Sequence, residues 1–491
     1  MDDTVAVVDD GVVTTWQAFD AEVDRVAAGL VALGLQPGER AVWCGPNSRQ
    51  VVVLMHAYRR AGLVSVPMSY RFTTAEARHV LADSEAALLV VDAACAPTVA
   101  ALLPELAHLR HAVTFRGAHP GFLSWDDLAG GRRAAAPAGE GPTMLYTSGT
   151  TGRPKGAIRR PSDPTLLAAM MTELDLGARE VHLVTGPLYH AGPHAFAVLT
   201  HRTGGTLVLT RRFHPAEWLA LVAGHGVTSA FVAPVHLRRV LAVADEVVAG
   251  ADLSSLRTLV VNAAPVPYAL KREVLSRLGE GFLYEVYGST ELGIATVLRP
   301  EDQLRKPGSC GRPYGGIGLK VLGDDGAEAA PGVVGELFVR TPHAMDGYHR
   351  SVERLAELPG GWKSVGDMAR IDHDGYVYIC DRRSDMVITG GMNVYPAEVE
   401  AALSDHPDVA DAAVVGVADE EWGERVHAVV SPREGRSLDP AELDAFLADR
   451  LAAFKRPRSW EVRDRLPRTE SGKLLRRVLR AHCETVHGVP A

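Results

Sequence analysis

Tyr146-Thr-Ser-Gly-Thr-Thr-Gly-Arg-Pro-Lys-Gly156 is the stretch from which the rest of the chain is read. Three glycines, four hydroxyl residues and one lysine fall within residues 147–156, and an apolar run, Met144 to Tyr146, leads in. That order predicts a strand ending in a flexible loop. Gly149, Gly152 and Gly156 let the backbone approach a ligand closely. Successive main-chain N–H groups in such a loop form a concavity for anions. Thr147, Ser148, Thr150 and Thr151 add hydroxyl donors, and Lys155 adds a point charge. The Walker A pattern requires Gly-Lys-Ser/Thr, and Pro154 before Lys155 and Gly156 after it break that pattern. A solvated linker is the alternative, but linkers rarely follow an apolar strand and carry a lone lysine.

The stretch resembles the phosphate-binding signature of the adenylate-forming superfamily: acyl-CoA synthetases, the adenylation domains of peptide synthetases, and luciferases. It matches from Tyr146 to Gly156. The resemblance implies an ATP site in which Thr147, Ser148, Gly149, Thr150, Thr151, Gly152 and Lys155 hold the β- and γ-phosphates. Further segments resemble the same family in its order. Asn262-Ala263-Ala264-Pro265 ends a predicted strand where the family packs a loop against adenine. Tyr287-Gly288-Ser289-Thr290-Glu291 ends another. Tyr287 offers a purine an aromatic face, Thr290 stands at the α-phosphate position, and Glu291, with Thr147, is the expected Mg²⁺ ligand. Asp367 matches the ribose-binding aspartate and Arg382 the arginine on ribose or phosphate. Ser384 occupies the hinge position. Gly390 and Gly391 match the loop that lines the pantetheine channel, and Arg456 lies in a further family element on that side. Lys473, after Ser471-Gly472, matches the catalytic lysine of adenylation. Tyr189, His190 and His194 fall where the family lines the acid pocket, with Asn262, and His190 stands at the thiol entrance.

The implied fold is α/β. A large N-terminal multi-subdomain region, residues 1–382, has parallel sheets and a small β-barrel-like subdomain. A hinge follows at 383–386, then a small mobile α+β lid at 387–491. The periodicity agrees. Residues 5–8 and 12–15 flank Asp9-Asp10-Gly11 as a hairpin, and residues 16–33 carry an amphipathic helical stripe ended by Gly34 and Pro37. Strands alternating with helices imply covered parallel sheets. Helices are predicted at 164–173 and 215–225, with a loop over 117–141 and a helix from Pro396 whose Glu398 and Glu400 face outward.

Length and composition set the bounds. A chain of 491 residues divides into several domains or subdomains. The 47% hydrophobic and 23% charged content is globular. A net charge of −9 argues against a nucleic-acid partner. Five scattered cysteines with no CxxC pair suggest neither zinc nor a disulfide framework, and a cytoplasmic setting is expected. The acidic N-terminus is not a signal peptide, and no long uncharged apolar run suggests a membrane span. Seven lysines stand against 44 arginines, which draws the eye to Lys155 and Lys473.

The expected activity is therefore AMP-forming acid:CoA ligation with ATP, Mg²⁺ and CoA. Residues 189–200 contain no acidic side chain to pair an α-ammonium. An unpaired buried ammonium is costly, so a fatty, aromatic or alicyclic carboxylate is expected in place of an amino acid. Arg159 and Arg160 depart from the His or Asn more common in relatives. They suit an anionic substrate group, CoA phosphates or surface ion pairs. Loading of a carrier protein, adenylation of another anion such as nitrite in a diazotase, and a non-enzymatic nucleotide-binding protein are the alternatives. A homodimer is compatible with all of them.

Overall fold

The computed structural model describes residues 4–130, 141–147, 154–160, 163–469 and 472–487. Ser148, Gly149, Thr150, Thr151 and Gly152 lie outside them. Among the described residues the strands form four sheets.

The nine-stranded sheet begins with the hairpin Val5–Asp9 and Val12–Thr15, as the turn residues predict. Its centre is parallel: Thr206–Leu209, Val181–Val184, Ser229–Val232, Thr258–Val261 and Leu283–Ser289. Their carboxyl ends share one edge, where ligands of open α/β sheets bind. The eight-stranded sheet centres on the parallel strands Val64–Met68, Arg40–Cys44, Leu88–Asp92 and His111–Phe115. The helices Trp16–Ala32 and Arg49–Arg60 fill the space between the two sheets, closing a core around Phe19, Trp43 and Tyr58. Thr15 caps the first helix through its hydroxyl.

An antiparallel sheet follows, with Gly335–Arg340 at its centre and Asp367–Ile371 and Val377–Arg382 beside it. The last sheet pairs Val409–Asp419 with Gly423–Pro432 along their lengths. The helices Pro396–Ser404 and Pro440–Ala448 cover one face of it, and Arg476–His487 covers the other through Leu479 and Cys483.

Two expectations need correction, and one helix stands where the sequence announced none. The predicted loop over 117–141 contains a short helix, Trp125–Ala129, started by a capping box between Ser124 and Asp127. A helix at Ala191–Arg202 follows the Tyr189-His190 turn. Glu400 does not face outward: it takes two hydrogen bonds from Arg476, at 2.7 and 2.8 Å, and one from the Val414 amide. Glu398 is exposed as expected and pairs with Lys455.

Candidate active site

The phosphate-loop stretch is a hairpin connection. Strand Thr143–Thr147 runs antiparallel to Lys155–Arg159, with Thr147 opposite Lys155. A strand, not a helix, follows the loop. Two anchors hold the hairpin: the Tyr146 hydroxyl donates to Asp83 at 2.7 Å, and His79 bonds the Pro154 carbonyl at 2.8 Å. Lys155 forms an ion pair with Glu353 and lies 5.7 Å from the centre of the Tyr348 ring.

Strand Leu283–Ser289 delivers the second motif. It turns through Thr290 and Glu291 into the antiparallel strand Gly293–Leu298. A Cβ at Gly288 would stand 2.2 Å from the Gly293 carbonyl, so the tight pairing admits only glycine there. The Tyr287 hydroxyl donates to Asp367 at 2.5 Å. Asp367 is 6% exposed, and its other oxygen faces Arg382 Nε at 3.4 Å across the Asp367–Arg382 strand register. Burial opposes the Arg382 charge, but Asp367, Glu291 and Asp385 outweigh it and raise its pKa. Glu291 Oε1 accepts from the Tyr348 hydroxyl at 2.9 Å. Its Oε2 takes no hydrogen bond from the described residues, so one carboxylate oxygen is open. Mg²⁺ is commonly held by one or two carboxylates plus substrate phosphates, and Glu291 with the Thr147 hydroxyl fits that set.

Lys473 comes from the last sheet's side of the molecule. The turn before it is closed by Gly472 N to Thr469 O at 2.9 Å and Thr469 N to Lys473 O at 2.8 Å. Gly472 has φ +79°, and a Cβ there would meet Val235 Cγ1 at 2.9 Å, so the turn packs directly on helix Pro234–Leu241. Lys473 keeps an exposed surface. Partial burial and then the Arg382 charge lower its pKa, against the pull of Glu291, Asp385 and Asp367. Lys473, Asp367, Arg382, Glu291 and Tyr287 thus share one electrostatic neighbourhood.

The acid-pocket candidates sit at the same sheet edge. The Tyr189 and His190 rings meet at a tilt of 53° with their centres 4.4 Å apart. Burial pushes the Tyr189 phenol up to about 12 and the His190 imidazole down to about 4. His194 is buried, bonds the Leu188 carbonyl at 3.3 Å and is held by burial at about 4. Both histidines are neutral at pH 7. Asn262 accepts from the Ala263 amide, and Ala263 has φ +76°. A non-glycine residue in the left-handed region costs energy and concentrates at ligand sites, and Ala264 and Pro265 follow it directly.

Ser384 adjoins this neighbourhood, its hydroxyl reaching Asp385 at 3.5 Å, whereas Gly390, Gly391 and Arg456 have partners elsewhere in the last sheet's region. Gly390 and Gly391 turn the hairpin of Val387–Thr389 and Met392–Val394, against Trp422. Arg456 pairs with Asp444 at 3.1 Å. Tyr348, which binds the Glu291 carboxylate, was not legible in the sequence: an aromatic after a loop glycine carries no pattern.

Residues 1–349 match the family model of the AMP-binding enzymes, and residues 398–473 match that of the AMP-binding enzyme C-terminal domain. A feruloyl-CoA synthase of Amycolatopsis sp is 38% identical over 487 residues, covering 95% of this chain and 93% of its own. A fatty acid–[acyl-carrier-protein] ligase of Streptomyces coeruleorubidus is 35% identical, covering 97% of this chain and 93% of its own. The crystal structure of an anthranilate CoA ligase in complex with anthranoyl-AMP has a TM-score of 0.90 at 26% identity, covering 99% of this chain and 95% of that one.

Proposed function

The chain belongs to the AMP-binding enzyme family, and from that premise we propose that it is an AMP-forming carboxylic acid:CoA ligase acting on an aromatic or fatty carboxylate. The observation that carries this reading is the Tyr287–Asp367–Arg382 cluster, whose charges together with Glu291 act on Lys473. A carboxylate oxygen attacks the α-phosphorus of ATP. The P–O bond to pyrophosphate breaks, and an acyl-adenylate forms. Tyr287 and residues 263–265 bracket adenine. Asp367 accepts from the ribose hydroxyls, and Arg382 balances its charge. Thr290 and Lys473 stand at the α-phosphate, where positioning and charge stabilisation carry the rate. The phosphate loop with Lys155 holds the leaving pyrophosphate. Mg²⁺, held by Glu291 and Thr147, draws charge from the phosphate oxygens when bound.

The CoA thiol then attacks the acyl carbon, and AMP leaves. Tyr189, His190, His194 and Asn262 line the acid, with both histidines neutral and no carboxylate among the four. That lining suits an uncharged acyl body. We assign residues 1–382 to the body, 383–386 to the hinge and 387–491 to the lid. Turning about Ser384 withdraws Lys473 and brings Gly390 and Gly391 inward, with Arg456 on the acceptor side. The fatty acid–[acyl-carrier-protein] relative supports a second reading, in which a carrier's phosphopantetheine replaces CoA. No helix among the described residues is long and apolar enough to cross a membrane. A cytoplasmic setting supplies both ATP and CoA and suits five free cysteines.

The test is pyrophosphate release with ATP and Mg²⁺ across aryl, fatty and alicyclic acids, with CoA, a carrier protein or neither. Release with one carboxylate and coupled CoA consumption is the expected result. Turnover that ignores CoA, or that responds to nitrite with an aryl amine in place of any carboxylate, overturns it.

A further inference from the structure

We propose that Arg159 is a positioning residue of the adenylation step, holding the Thr290–Glu291 turn in register with the strand that leaves the phosphate loop. This deepens the ligase reading and rests on it. Arg159 ends strand Lys155–Arg159, four positions beyond Lys155. Its Nη1 donates to the Thr290 carbonyl at 2.5 Å and its Nη2 to the His343 carbonyl at 3.1 Å. The two acceptors belong to different segments, and the planar fork reaches both at once.

Those segments are themselves joined. Residues 343–349 lie along the strand after the phosphate loop. Asp346 N bonds Ile158 O at 3.0 Å, His349 N bonds Gly156 O at 2.7 Å, and Gly347 and Tyr348 pair with Ile158 and Ala157. The same residues grip the metal-side turn: Met345 N bonds Glu291 O at 2.7 Å, and the Tyr348 hydroxyl bonds Glu291 Oε1. Phosphate-loop strand, bridging segment and Thr290–Glu291 turn form a closed triangle, and Arg159 is the side chain touching two of its sides from the third. Arg160 staples the bridging segment from outside through Asp346 at 2.6 Å.

The surroundings are shaped for the guanidinium. Gly293 has φ +75°, and a Cβ there would come within 3.2 Å of Arg159 Nη2 and 2.9 Å of His343 Cβ. Arg159 makes no ion pair among the described residues, so its charge is spent on carbonyls, with Glu291 close enough to stabilise it electrostatically. A guanidinium retained where burial lowers its pKa needs a return, and fixing the turn that carries Thr290 and Glu291 supplies one. Displacement of a reacting group by about 1 Å costs on the order of 10²-fold in rate.

The test uses the full-length chain with Arg159→Met, Arg159→Lys and Tyr348→Phe. Acyl-adenylate formation is followed against ATP, Mg²⁺ and carboxylate concentration, thioester formation is followed from supplied acyl-adenylate and CoA, and thermal midpoints are recorded. The expected result for Arg159→Met is adenylation slowed on the order of 10²-fold, with a raised Mg²⁺ requirement and unchanged carboxylate KM and thioester step. Arg159→Lys recovers part of the rate. Tyr348→Phe, which removes one hydroxyl and leaves the packing, raises the Mg²⁺ requirement alone. Equal loss in both half-reactions alongside a lowered thermal midpoint makes Arg159 merely structural and overturns the proposal. A raised carboxylate KM with kcat kept overturns it in favour of direct substrate contact. Wild-type pyrophosphate release reports on the ligase reading, and the variant-to-wild-type ratio reports on Arg159, so the two failures are distinguishable.

Discussion

Lys271 and Glu285 form an ion pair beneath the candidate nucleotide site, and its removal should destabilise the body in a diagnostic pattern. The Lys271 side chain is fully buried and that of Glu285 is 11% exposed. Lys271 comes from helix Tyr268–Leu278, Glu285 from the strand that carries Tyr287 on the same face two residues later. Lys271 also donates to the Ser309 carbonyl at 3.4 Å. Burial raises the Glu285 pKa, and Lys271 opposes that rise. Lys271→Met leaves a carboxylate in a dry pocket, and Glu285→Gln leaves an ammonium there. Breaking a buried pair from one side costs about 3–5 kcal/mol. At about 2.1 cal/mol/K of unfolding entropy per residue, the body of residues 1–382 shifts by about 1.2 °C per kcal/mol, so each single variant should melt roughly 4–6 °C lower. The double variant Lys271→Met/Glu285→Leu replaces the pair with apolar volume, which is often neutral, and should regain most of the loss. Scan-rate-matched calorimetry with and without ATP is the assay. Tyr287 shares the strand, so the single variants should also show a raised KM for ATP. A double variant as unstable as the worse single variant would refute the argument, because packing and not charge would then be what the pair supplies.

Lys473→Ala should lose adenylation by on the order of 10²–10³-fold while keeping thioester formation from supplied acyl-adenylate; stopped assays of each half-reaction check this, and equal losses count against it. Acid should unfold the protein early. Burial holds His194, His201, His236 and His343 at about 4 and His182 at about 3. The unfolded value is about 6.5, so the unfolded chain binds protons first. Stability is complete above pH 6.5 and falls as pH drops toward 4, by about 1.4 kcal/mol per histidine per pH unit. Melting curves flat from pH 8 to 5 would contradict this. Glu353→Gln should release Lys155 for phosphate and lower the KM for ATP by about 1.4- to 5-fold, the worth of a surface ion pair; an unchanged or raised KM in steady-state kinetics would count against that competition.

Much of the site was legible because its residues sit at strand ends, where local chemistry is dense. Tyr287, Gly288 and Glu291 follow an apolar run, and Gly472 precedes Lys473 in a turn. The helices Pro164–Glu173 and Pro215–His225 were legible for a similar reason, since proline at the first turn marks a start. Ala191–Arg202 was not. It is buried on several sides, through Pro193, His194, Phe196, Leu199 and His201, so no single apolar stripe shows. Arg476–His487 hid because Leu479 and Cys483 are a thin apolar signal in an arginine-rich run. The partners of Glu291 and Arg159 were out of reach for a different reason: they lie 57 and 131 residues away along the chain, where no local pattern extends.

The bonds on either side of Ser384 argue for where the proposed rotation pivots. Arg382 faces Asp367, and Arg383 donates from its amide to Gly366 at 2.8 Å and from its side chain to Glu336 at 3.1 Å, all on the body. Asp385 faces Arg476 at 3.7 Å, on the lid. Attachments change sides at Ser384, which is exposed and whose hydroxyl reaches its neighbour Asp385 at 3.5 Å. A bond close to a pivot survives rotation, and one far from it does not. Asp381, which accepts from the Ala397 amide at 2.9 Å, lies three positions from Ser384 and can hold throughout. Distant contacts among the described residues include Arg238 to the Ala410 carbonyl at 2.7 Å and the packing of Gly472 on Val235. One hydrogen bond nets about 0.5–1.5 kcal/mol. Inside the lid, by contrast, Arg476 grips Glu400 and Arg468 grips Asp411 with paired bonds. In the proposed rotation, a lid strong within itself and fastened by a near-axis bond turns as a unit and carries Lys473 out of the site without unfolding.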